Sequence, residues 1–125
     1  MIIIGDKLVP FEEFSNIKEI EDIKNTKANT TLLFDYKDSL LKYCYENQLS
    51  FAVIVNDIKE AIYSNSLSAK YIISKKKLAK KLQKIADNYM YDSKILAIID
   101  SNEELEKISK NEIDGVIYKD LLSNK

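Results

Sequence analysis

The amino-acid sequence predicts a three-layer α/β domain with a mainly parallel, five-stranded sheet of flavodoxin-like order and an N-terminal β-hairpin. Two observations carry this expectation. Five short apolar runs, 31–34, 51–55, 71–73, 95–99 and 116–118, recur at a spacing of roughly twenty residues, the length of one strand plus one helix. Between them the apolar residues fall at helical intervals, and parallel neighbours in a sheet need such helical crossovers.

Taken in chain order, residues 1–30 are expected to form the hairpin and a connector. Ile2 to Ile4 and Lys7 to Val9 flank Gly5-Asp6, a Gly-X pair suited to a type II′ turn, and Pro10 ends the second strand. Phe11, Phe14, Ile17, Ile20 and Ile23 recur every third residue, which suggests a short amphipathic helix packed on the sheet. Residues 31–123 form the βα repeat. Asp38 is a candidate N-cap for a helix to about Asn47 that buries Leu40, Leu41 and Cys44. Asn56 or Asp57 caps the next, with Ile58, Ala61 and Ile62 turned inward. The longest helix runs from about Lys76 to Tyr89, with Leu78, Leu82, Ile85, Ala86 and Tyr89 on one face. Ser101-Asn-Glu-Glu104 matches a capping box, and Lys119 to Ser123 suggests a final helical turn. One domain, 1–125, is expected.

Composition narrows the chemistry. The chain has 125 residues, 46% hydrophobic and 31% charged, which suits a single globular domain, and no apolar stretch approaches a membrane span. Met1 to Ile4 is too short for a signal peptide, so a cytoplasmic location with no membrane partner is expected. The net charge of −1 gives no global reason to expect nucleic acid as a partner. Cys44 has no second cysteine to pair with and reads as a buried structural thiol. There is no histidine, tryptophan or arginine. Imidazole-assisted nucleophiles, imidazole bases, His-ligated zinc and bidentate arginine recognition of phosphate therefore have no residues to perform them. The two glycines, Gly5 and Gly115, fit neither a dinucleotide-binding fingerprint nor a P-loop, and no cofactor, metal ligand set or catalytic residue is assigned.

Most of the apolar runs end in a polar residue, and open parallel sheets bind ligands outside the carboxyl ends of their strands. The candidate binding residues are accordingly Asp35, Asn56, Ser74, Lys75, Asp100, Ser101 and Lys119. Helix capping accounts for Asp38, Asp57, Ser74 and Ser101 without any ligand, whereas Asp35 and Lys119 are not explained that way. The cluster Lys75, Lys76, Lys77, Lys80, Lys81 and Lys84 lies opposite the apolar stripe of its helix, which describes a solvated face; locally, Lys75 and Lys76 beside Ser74 could serve an anion at the start of that helix. Tyr89, Met90 and Tyr91 cannot all face inward from one helix, so at least one is exposed and available for self-association.

The stretch Ile95-Leu-Ala-Ile-Ile-Asp-Ser101, followed by Gly115-Val-Ile-Tyr-Lys119, resembles the last two strands of response-regulator receiver domains. That resemblance implies Asp35 at an acidic metal-binding position, Ser101 at the small hydroxyl position and Lys119 at the phosphate-contacting position. Ser74 stands where a receiver carries its phosphoacceptor aspartate, so receiver phosphotransfer is not expected. Ala69-Lys-Tyr-Ile-Ile73 and Ile113-Asp-Gly-Val-Ile117 also resemble strands of (βα)₈ barrels; four or five units cannot close a barrel alone, though a half-barrel that dimerises could. The functional expectation is a non-enzymatic interaction or regulatory module, a homodimer. The alternative is a small enzyme or a protein binding a small anionic ligand at the strand ends, with Lys119 as anion contact or Schiff-base amine and Asp35 and Asp100 as acid/base groups or cation ligands.

Overall fold

A computed structural model describes residues 1–122. All seven strands belong to one sheet, and every pairing is parallel. They are β1 (Ile2–Ile4), β2 (Phe14–Asn16), β3 (Thr31–Asp35), β4 (Phe51–Ile54), β5 (Tyr71–Lys75), β6 (Lys94–Ile99) and β7 (Gly115–Tyr118). The helices are α1 (Asp38–Glu46), α2 (Ile58–Ser66), α3 (Lys76–Tyr89) and α4 (Leu105–Lys110). The α/β class and the parallel sheet agree with the sequence, but the sheet has seven strands rather than five and is strongly curled, a half-barrel. Ser123, the last residue of the expected terminal turn, lies outside the described residues; Lys119–Leu121 do form a 3₁₀ turn.

Strand order is β1-β7-β6-β5-β4-β3-β2. From β2 to β7 each strand lies beside the next in sequence, so the direction of winding never reverses as it would in a flavodoxin-like sheet. With one handedness of crossover, sequential order puts every helix on one side of the sheet. The two apolar clusters show this. The larger joins outward strand residues such as Phe34, Val53, Ile72 and Ile99 to Leu40, Leu41 and Cys44 of α1, Ala61 of α2, Ala79, Leu82 and Ala86 of α3 and Ile108 of α4. The smaller contains Ile4, Leu33, Ala52, Tyr71, Ile73, Leu96 and Ile117, strand residues of alternate parity, with Leu122 over them. The expected third layer is absent because the curled sheet covers its own inner face.

The N-terminal hairpin is also not formed. β1 and β2 lie on opposite edges, β1 beside β7 and β2 beside β3. Gly5 has φ +106°, and the Asp6 carboxylate accepts from the Leu8 N–H at 2.8 Å and from the Tyr118 hydroxyl at 2.7 Å. This local turn leads the chain away from β1 instead of back along it. Residues 5–13 then connect the carboxyl end of one edge to the amino end of the other. Part of the expected amphipathic helix, Phe11 to Ile23, is taken by β2, and a 3₁₀ helix, Ile20–Asn25, carries Ile20 and Ile23 onto the larger core.

Helix boundaries follow the sequence closely, with three shifts in side-chain placement. Asp38 lies in the first turn of α1 rather than at its N-cap, which is Lys37. In α2 the buried stripe is Ala61 and Ser64, which leaves Ile58 and Ile62 exposed. Tyr89 and Met90 are 77% and 85% exposed because α3 ends at Met90 in the left-handed conformation, while Tyr91 packs against the larger core. Asp57 does cap α2, accepting from Glu60 N–H at 2.8 Å.

Candidate functional site

Side chains alternate along a strand, so the inward residues Leu33 and Ile73 set Asp35 and Lys75 on the inner face of β3 and β5. Asn56, Asp100 and Lys119 follow the carboxyl ends of β4, β6 and β7. These five polar residues line one cleft of about 680 Å³ at the carboxyl ends of β3 to β7, with Ile54, Ile98 and Leu122 as its apolar floor. All five are exposed. The register orders them further. The β4–β5 ladder ends where Ile54 pairs with Ile73, shortly before Asn56 and Lys75, and the β6–β7 ladder ends where Ile99 pairs with Tyr118, so Asp100 and Lys119 are the residues that directly follow that last pair.

The frame around the cleft is held by Glu104. Its Oε2 accepts from Asp100 N–H at 2.7 Å and from Ser101 N–H at 3.1 Å, and its Oε1 pairs with Lys76 Nζ. Lys76 chiefly, then the Asp100 N–H, lowers the Glu104 pKa; partial burial opposes them. Lys76 lines the cleft but is committed to this pair. Lys75 and Lys119 have no salt-bridge partner among the described residues. β5 runs into α3 without a loop, α3 has no side-chain cap, and its first turn carries no acidic residue, so the local field at Lys75 is positive.

Two of the seven candidates are not in the cleft. Ser74, between inward Ile73 and inward Lys75, points to the helix side, is fully buried, and donates to the Lys75 carbonyl at 3.1 Å. Ser101 belongs to the capping box with Glu104 that starts the 3₁₀ turn Asn102–Glu104. Of the positions implied by the receiver resemblance, Asp35 and Lys119 share the cleft, whereas Ser101 serves the helix start. Sequence reasoning passed over Ile54, Ile98 and Leu122, whose part is to give the cleft an apolar floor; the inward parity of Ile54 and Ile98 was the available signal. It also missed Glu104 as the group that fixes Lys76.

Elsewhere, Cys44 is fully buried and its thiol pKa is pushed up to about 11 by that burial. Among the described residues no group of three or more Cys, Asp or Glu side chains is placed to hold a metal ion, and no helix is long and apolar enough to cross a membrane. Neither a scan of protein-family models nor a search of curated proteins finds a match to this chain.

Proposed function

We propose that the chain is a ligand-binding regulatory module that holds a small anionic molecule over the carboxyl ends of its strands. The observation that carries this reading is the pair Lys75 and Lys119, exposed on the inner side of one cleft, with Asp35, Asn56 and Asp100 beside them. Two ammonium groups without salt-bridge partners among the described residues favour an anion, and the apolar floor gives it a body to rest on. Binding is preferred to turnover on chemical grounds. A Schiff-base lysine needs a desolvated amine, and Lys119 is exposed. Ser74 and Cys44 are both buried on the helix side, away from the cleft.

A thermal-shift screen of small anions tests this, because a ligand that binds only the folded state raises its apparent stability. The expected result is a stabilising anion whose effect vanishes in Lys75→Ala/Lys119→Ala. Absence of any stabilising anion at millimolar concentration overturns the reading.

Self-association, the second part of the reading, would use the outer helices, because the inner face is already covered. α2 exposes Ile58, Ile62 and Tyr63, and α1 exposes Tyr45. Sedimentation velocity at micromolar concentration should then show a dimer that Ile62→Lys disperses; a monomeric wild-type protein removes the proposal.

A further inference from the structure

The cleft is not uniformly cationic, and its pattern narrows the ligand. Resting on the reading that an anion binds there, we infer that the ligand is a polyhydroxylated anion of the sugar-phosphate class. Across the strands the rim runs carboxylate, amide, ammonium, carboxylate, ammonium: Asp35, Asn56, Lys75, Asp100, Lys119. Lys75 is in register with Ile98, and Ile98 with Ile117, so the two lysines flank β6 with Ile98 between their strands. Both lysines and Ile98 line the same cleft, so an anionic group seated on Ile98 would have an ammonium group on either side.

The Asp100 carboxylate then sets what the rest of the ligand must be. A site for a bare phosphate or a polyanion gains nothing from Asp100 next to Lys119, since that carboxylate repels the anion. A carboxylate is a strong acceptor with several lone-pair sites, and a neutral donor that suits it is a hydroxyl group. Asn56 offers both donor and acceptor and suits a hydroxyl equally. Ile54, Ile98 and Leu122 present a nonpolar floor that matches the C–H face of a sugar. The cleft, at about 680 Å³, is in the range that small-molecule ligands occupy. One ligand class satisfies the lysines, the Asp100 carboxylate and the floor together, namely an anionic head on a chain or ring of hydroxyls.

The test is isothermal titration of the full chain with three sets of probes at fixed low ionic strength: sugar monophosphates of three, five and six carbons, the corresponding free sugars, and inorganic phosphate. At least one sugar phosphate should bind about tenfold or more tighter than phosphate, the free sugar being weaker still. Asp100→Asn should reduce affinity for that sugar phosphate about tenfold while leaving or improving affinity for phosphate, because it turns one acceptor oxygen into a donor and removes the charge that both strengthens the hydroxyl bond and repels the anion. Lys119→Ala should weaken both. If phosphate binds as tightly as every sugar phosphate, the ligand class is wrong and the anion site stands. If neither phosphate nor any sugar phosphate binds, both fall.

Discussion

The Glu12 carboxylate, just before β2, accepts a hydrogen bond of 2.5 Å from the hydroxyl of Tyr71, the first residue of β5. β2 and β5 are separated in the sheet by β3 and β4, so this bond spans the curl instead of running along it. Thr31 Oγ1 at 2.6 Å and Lys70 Nζ at 2.8 Å donate to the other carboxylate oxygen. Phe14 completes the contact, its ring centroid 6.0 Å from that of Tyr71. The amino end of the half-barrel is thereby stoppered by one carboxylate and two rings, which leaves the carboxyl end as its open mouth.

Glu12→Gln should cost about 1–3 kcal/mol, because it removes a charged acceptor with three donors. Burial raises the Glu12 pKa, but the hydrogen bonds from Lys70, Thr31 and Tyr71 and the Lys70 charge outweigh it, and the net shift is below the ordinary 4.5. Since the folded-state value is the lower one, the stabilisation is fully present above the unfolded value and is lost as pH falls through the folded value. Urea unfolding at pH 7 and at steps below 4.5 reads this. The gap between wild type and Glu12→Gln should be constant near neutrality and shrink in acid; a gap that widens in acid contradicts the assignment.

Gly115 opens β7 where β1 pairs with it. A Cβ at this position would run into the Ile2 carbonyl oxygen and lie 2.9 Å from Leu96 Cδ2. Gly115→Ala therefore has to push β1 off its neighbour or distort the inner core, at about 1–3 kcal/mol. Hydrogen exchange should show the loss first at the amides of Ile2 to Ile4. Uniform loss of protection across the sheet would mean that β1 is not the part that yields.

The repeat from β3 to β7 was legible because its strands are buried on both faces and its helices carry one apolar stripe each, so period and spacing report them directly. The capping box at Ser101 forms and starts the 3₁₀ turn that leads into α4, and of the two caps offered for α2, Asn56 and Asp57, it is Asp57 that serves. What could not be read was non-local. Ile2 to Ile4 looks the same whether it pairs in a hairpin or beside a strand more than a hundred residues later, and only the register with Gly115 to Ile117 distinguishes them. β2 has three residues, too few for a period. At the site, parity along the strands separated Lys75 from Ser74, but choosing which of the two faces inward required knowing that the helices all lie on one side.

Cys44 should be inert in the folded protein. It is buried against the larger core, and its thiol pKa of about 11 leaves little thiolate at neutral pH, while the thiolate is the reactive form. Alkylation at pH 8 should be slow in native buffer and fast in denaturant, and its rate in intermediate denaturant should follow the opening of α1. Fast native labelling would show that α1 is not packed as described.

Glu104 joins the frame to the mouth, and its removal should separate two properties that otherwise change together. Glu104→Ala loses the bonds from Asp100 N–H and Ser101 N–H that start the last crossover, at about 0.5–2 kcal/mol of stability. It also releases Lys76, which already lines the cleft, so the mouth gains one uncompensated positive charge. Phosphate affinity should therefore rise, and rise most at low ionic strength where charges on the rim are least screened. Discrimination in favour of sugar phosphates should fall, because Asp100 loses the contact that fixes its backbone. Titrations of wild type and Glu104→Ala with phosphate and a sugar phosphate at two salt concentrations read both effects. A parallel loss of affinity for both probes would show that Glu104 supports the fold of the mouth without holding Lys76 away from the ligand.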